Sequence, residues 1–231
     1  MTTPYSTTTA PARFLLLGDS HAGPIGRAAK AANIPFLGGP IGAGREFTDD
    51  FFEPRADDVV FRKPEAERYF RGFLEELGVA AIGEIVVPLV ATFGFGVHFV
   101  ATTENWHLYR DGDGTLLPGF LASALFDGIV TATVRDALAF YRHTRALGLR
   151  VLAVLPPQRV PRQSDPAIFK AAQESIRRAV AAIGVEVVDL RARTADATGY
   201  QRRELCEPDD EIHGNLASGR IILADLLSRG L

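Results

Sequence analysis

Five short apolar runs separated by helical patterns constrain this chain more than any other feature. The runs fall at residues 14–17, 34–37, 85–90, 151–155 and 185–188. Strands of a parallel sheet are buried on both faces and need no polar alternation, and Phe14-Leu15-Leu16-Leu17 has none. Helical patterns occupy 22–32, 65–77, 120–147, 165–183 and 215–227. In the second of these, Tyr69, Phe70, Phe73, Leu74 and Leu77 recur at helical spacing behind Pro64, a residue suited to a first helical turn. The 120–147 pattern predicts one long helix broken near Gly128 and closed by Gly148 as a left-handed cap. Connections of these lengths permit right-handed crossovers. The expected fold class is α/β: a three-layer α/β/α domain on a five-stranded parallel sheet.

The 231 residues suffice for one sizeable hydrophobic core. A single domain is expected over 13–231, preceded by a flexible, Thr/Pro/Ala-rich segment at 1–12. At 45–63, Phe47, Phe51, Phe52 and Phe61 sit among acids, which predicts a cap or an extra hairpin over the sheet edge. The 25 Lys and Arg residues are scattered against 28 Asp and Glu, so bulk charge argues against a nucleic-acid partner. No run approaches 18 apolar residues, so no membrane span is expected. The first residues lack a basic region followed by an apolar one, and the expected location is cytoplasmic. A lone cysteine, Cys206, excludes an internal disulfide and a cysteine metal cluster.

Chemistry concentrates at two distant places. The first apolar run ends in Gly18-Asp19-Ser20-His21, and Asp209-Asp210-Glu211-Ile212-His213-Gly214-Asn215 precedes the last helical pattern. A serine after a central strand lies at the carboxyl edge of the sheet, where open α/β folds bind ligands. An imidazole with a carboxylate behind it can serve such a serine as base and orienter. Asp210 is the expected orienter and Asp209 its rival. The plain alternative is that Asp19, Ser20 and the acids at 209–211 cap helices.

These two blocks resemble the SGNH/GDSL hydrolase superfamily. The resemblance covers the whole domain and is carried by Gly18-Asp19-Ser20 and by Asp210-Glu211-Ile212-His213-Gly214-Asn215 through to Gly219. It implies a flavodoxin-like strand order, Ser20 as nucleophile, His213 as general base and Asp210 as the residue orienting it. It also implies oxyanion donors from the Ser20 N–H, from a glycine of a second block (Gly42, or Gly44 in the alternative register) and from a third-block asparagine. That asparagine is absent from Gly94-Phe95-Gly96-Val97-His98, so His98 or Asn105 is expected in its place. The implied activity is a serine esterase or deacetylase cleaving a small acyl ester, on a sugar or natural product, with no cofactor. Acyl transfer uses the same acyl-enzyme. From another class, a degenerate, non-catalytic glycan or small-molecule binding module fits the missing asparagine.

Other residues carry expectations of their own. Arg45, Arg159 and Arg162 could clamp an anionic substrate group or stand in a solvated loop. Phe93 and Phe95 are expected in the substrate pocket. His21 either faces substrate or packs beneath it. A zinc held by His21, His98 and His213 is geometrically conceivable, but no metal-binding spacing occurs and none is expected. The apolar 120–147 pattern either packs on a second copy in a homo-oligomer or closes the domain's own core.

Overall fold

The computed structural model describes residues 11–48 and 50–231, so most of the segment expected to be flexible at 1–12 lies outside the described residues. In chain order the elements are β1 (Leu15–Gly18), α1 (Ala22–Ala31), β2 (Leu37–Pro40), β3 (Phe52–Pro54), β4 (Val59–Phe61), α2 (Pro64–Leu77), β5 (Leu89–Ala91) and α3 (Val97–Val100). There follow α4 (Ala124–Thr133), α5 (Arg135–Ala146), β6 (Val151–Val154), α6 (Pro166–Ala182), β7 (Glu186–Val188), α7 (Arg191–Thr194) and α8 (Leu216–Ser228). Five strands form a wholly parallel sheet in the order β2-β1-β5-β6-β7, while β3 and β4 pair as a separate antiparallel hairpin. This is the flavodoxin-like order.

Side chains of β1 alternate between two cores, which is why its sequence shows no polar alternation. Leu15 and Leu17 join a core with α2, α4, α5 and α6, while Phe14 and Leu16 join a second one with α1 and α8. Helices α1 and α8 pack closely because Gly219 has no side chain: a Cβ there would stand 2.1 Å from the Pro24 carbonyl oxygen. No helix among the described residues is long and apolar enough to cross a membrane.

Two elements depart from expectation. The second strand is not 34–37 but Leu37–Pro40, so glycines read as a loop are strand. Gly38 lies at φ +97°, and a Cβ there would sit 1.9 Å from the Leu16 carbonyl oxygen. Glycine is needed for that close backbone approach rather than for a turn. The long helix breaks at Val134, not near Gly128, which lies inside α4. Before the break, the hydroxyls of Thr131 and Thr133 donate to the carbonyls of Asp127 and Val130, both at 2.7 Å. Such back-bonding weakens helix continuation.

The 45–63 segment contains a short 3-10 turn at Gly44–Phe47 and the β3–β4 hairpin. Phe47, Phe51, Phe52 and Phe61 are all buried, packing around Phe140 of α5 and Phe93. The hairpin is thus built into the core beside the sheet.

Candidate active site

Asp19 alone separates Ser20 from β1, and Ser20 stands before α1, whose N-cap is His21. The turn is fixed from below by Asp19, which is fully buried. Its Oδ1 accepts from the Thr92 hydroxyl at 2.9 Å and from the His21 N–H at 3.0 Å. Thr92 follows β5, so this contact ties the ends of the two central strands together. Gly18 permits the approach, since a Cβ there would stand 1.9 Å from Thr92 Oγ1.

The loop before α8 brings the second block to this turn. Asn215 caps α8, accepting from the N–H groups of Ala217 and Ser218 at 2.9 and 3.2 Å. Its amide donates to the carbonyls of Glu204 and Cys206, which pins the loop's entry. His213 Nδ1–H donates to Asp210 Oδ2 at 2.6 Å, leaving Nε2 to accept from the Ser20 hydroxyl, also at 2.6 Å. This tautomer is the one that satisfies both contacts. Asp210 Oδ1 accepts from the N–H groups of Ile212 and His213 at 2.6 and 2.7 Å. Burial works to raise the Asp210 pKa, but the His213 bond and the two N–H groups prevail and bring it to about 2. The carboxylate is therefore ionised at neutral pH, where it can stabilise an imidazolium. No contact places Asp209 in this chain of bonds.

His21 packs rather than projects. It is buried, its ring centroid lies 5.0 Å from that of His213, and its Nδ1 has no partner. Burial lowers its pKa, keeping the ring neutral against His213. His98 lies on α3, half-buried, with its pKa brought to about 4 by burial and by the nearby His21, His213 and Arg45. Its ring nitrogens bond to no described residue. Among the described residues no cluster of His, Cys, Asp or Glu is arranged to hold a metal ion.

The two candidate glycines have different surroundings. A Cβ on Gly42 would point at Glu46 and Phe47, whereas one on Gly44 would stand 3.3 Å from Asp19 Oδ2. The later end of β2 carries Gly44, not Gly42, to the Asp19–Ser20 turn. Asn105 sits in the wall of an apolar groove, where its amide donates to the Phe99 carbonyl at 3.2 Å. Phe93 and Phe95 are core, not pocket: both are almost fully buried, Phe93 against Phe140 of α5. At that turn Gly94 adopts φ +82° and the Tyr141 hydroxyl donates to the Phe93 carbonyl.

The arginines divide three ways. Arg159 is turned inward and donates to the carbonyls of His213 at 2.6 Å, Glu207 at 3.3 Å and Asp210. It holds the loop that carries the base and is unavailable as a substrate clamp. Arg162 is almost wholly solvent-exposed beside Glu211. Arg45 lies with its guanidinium 5.0 Å from the centre of the Phe99 ring and pairs with no carboxylate among the described residues. The hold of Arg159 on the loop that carries His213 and the strand tie of Thr92 were not foreseen. Each depends on partners remote in sequence, and no local pattern announces them.

The chain has the SGNH/GDSL hydrolase fold. It is similar to the structure of a protein described as lipolytic, of the G-D-S-L family, from Desulfitobacterium hafniense DCB-2. The TM-score is 0.52 at 11% identity, covering 95% of this chain and 99% of that one. A GDSL-like lipase from Bacteroides thetaiotaomicron VPI-5482 aligns at TM-score 0.49 and 13% identity, over 94% of this chain and 86% of that one. No family model matches the sequence, and neither does any curated protein.

Proposed function

We propose that this protein is a serine hydrolase acting on carboxylic ester bonds through an acyl-enzyme. The observation that carries the reading is the unbroken chain Asp210–His213–Ser20, with both side-chain contacts at 2.6 Å. In this mechanism the Ser20 oxygen attacks the ester carbonyl while His213 Nε2 takes its proton. The negative charge of Asp210 stabilises the imidazolium so formed. The tetrahedral oxyanion accepts from the Ser20 N–H, the Gly44 N–H and the His98 ring, groups that donate to no described residue at rest. Collapse breaks the bond to the alcohol oxygen, which leaves with the proton from His213. Water then gives its proton to His213, attacks the acyl-enzyme and releases the carboxylic acid and free Ser20.

Intact-mass analysis after treatment with an alkyl phosphonate serine probe tests the reading. One adduct is expected on the wild type and none on Ser20→Ala, with slow or absent labelling of His213→Ala. A folded wild type that takes no adduct overturns it and leaves the binding module as the better account.

A further inference from the structure

A groove of about 620 Å³ opens beside the site, walled by Phe99, Val100, Trp106, Leu108, Tyr109 and Ile129. Among the described residues its polar lining is Thr48, Asn105 and Thr133, with no charged side chain. The size is that of pockets holding organic ligands rather than an acetyl group. Leu108 stands 76% exposed at its edge, an apolar side chain without cover.

The groove abuts the serine turn through Phe99. A Cβ on Gly44 would touch both Asp19 Oδ2 at 3.3 Å and the Phe99 ring at 3.6 Å, so both border Gly44. The Phe99 ring also lies 3.9 Å from that of His98, between centroids. Over Phe99 stands Arg45, a cation with no carboxylate partner among the described residues. An apolar trough with a cation at the end nearest Gly44 and the serine turn is complementary to an aliphatic chain ending in a carboxylate.

We infer that the groove binds the acyl chain of the ester, and that the substrate carries a medium-length aliphatic acyl group rather than acetyl. The inference rests on the ester-hydrolase reading for its chemistry and deepens it. The ester carbonyl lies at Ser20 with its chain along Phe99, Tyr109 and Ile129. Hydrolysis breaks the acyl carbon–oxygen bond, water supplies the hydroxyl of the released acid and a proton passes to the alcohol. The product is the aliphatic carboxylate that Arg45 faces.

Trp106 lies in the groove wall and is the chain's single tryptophan, so binding can be read without turnover. Intrinsic fluorescence is titrated with acetate, hexanoate, octanoate and decanoate. A saturable change is expected from the longer acids, tightening roughly fourfold per methylene, and none from acetate. Thr133→Phe, at an exposed position on α4, fills the groove with little effect on folding and is expected to weaken octanoate at least tenfold. Ile129→Phe is expected to do the same from the partly buried side. In parallel, p-nitrophenyl esters from acetate to decanoate are assayed on wild type and both variants. Wild type is expected to prefer the longer acyl groups, and the variants to shift toward acetate. Failure of octanoate and decanoate to perturb Trp106 in folded protein overturns the groove assignment, whether or not esters are cleaved. Acid binding without cleavage of any ester leaves the groove standing and removes the hydrolase reading. Cleavage of p-nitrophenyl acetate with no dependence on acyl chain length does the reverse.

Discussion

Ser20 Oγ and His213 Nε2 lie 2.6 Å apart although 193 residues separate them in the chain. The contact exists because β1 and the loop before α8 end at the same edge of one sheet. Crossing of α1 and α8 at Gly219 fixes the distance between their N-termini. Each catalytic feature proposed above is a consequence of that placement.

The oxyanion assignment predicts an asymmetry between two substitutions. With its pKa near 4, His98 is neutral at pH 7 and retains one ring N–H to donate. His98→Ala is expected to lower kcat on a short ester by about 10²–10³ with little change in KM. His98→Asn, which keeps a donor of similar reach, is expected to hold within about tenfold of wild type. Steady-state kinetics on both variants decides the matter, and a wild-type kcat for His98→Ala removes the residue from the mechanism.

Removing Arg159 should loosen the base without touching the serine. Its guanidinium serves the carbonyls of Glu207, Asp210 and His213, and hydrogen bonds to charged groups contribute about 1.5–3 kcal/mol each. Arg159→Ala is expected to cost about 2–3 kcal/mol, or roughly 4–12 °C in Tm for a domain of this size. The phosphonate reaction rate should fall with it, while Arg159→Lys, able to replace one bond, should lie between. Thermal melts beside labelling rates test both halves.

The carboxylate of Asp210 predicts a pH dependence of stability. Its folded-state pKa of about 2 lies below the ordinary value of 3.8, so the unfolded chain binds the proton more readily. The stabilisation is present in full above pH about 4 and is lost as pH falls toward about 2. Asp210→Asn should therefore lose stability at neutral pH and show a smaller further loss on acidification. Glu174 is held near 2 by Arg177, against the opposing effect of burial, and by Arg191. It titrates in the same window, so the difference in Tm between variant and wild type from pH 6 to pH 2 is the quantity to measure. Equal acid sensitivity of the two proteins counts against the assignment. At neutral pH the same variant is expected to lose activity by about 10⁴, since the imidazole is no longer held in the useful tautomer.

Gly219→Ala sets two effects against each other. Alanine in a helix interior is favoured over glycine by about 0.5–1 kcal/mol. Here its Cβ would stand 2.1 Å from the Pro24 carbonyl oxygen, a clash with backbone that α1 and α8 can relieve only by separating. Overpacking of this kind costs about 1–3 kcal/mol, so net destabilisation is expected. Urea denaturation gives the sign, and a more stable variant would mean the crossing is looser than described.

The sequence by itself determined the α/β class and the parallel character of the sheet, and it pointed to Ser20, His213 and an aspartate at 209 or 210 as the candidates for chemistry. These are local signals: unalternating apolar runs report burial on both faces, and polar clusters at element ends report the sheet edge. Tertiary structure alone decided which glycine lies beside Asp19, that Phe93 and Phe95 are core and that Arg159 faces the loop carrying His213. Those outcomes depend on strand register and on which element lies across from which. Periodicity along the chain tells whether a side chain is buried, while its partner is set by a neighbour dozens of residues away. The second strand shows the limit most plainly, since Gly38 and Gly39 carry a turn-like composition and become strand only because the backbone of β1 passes so close.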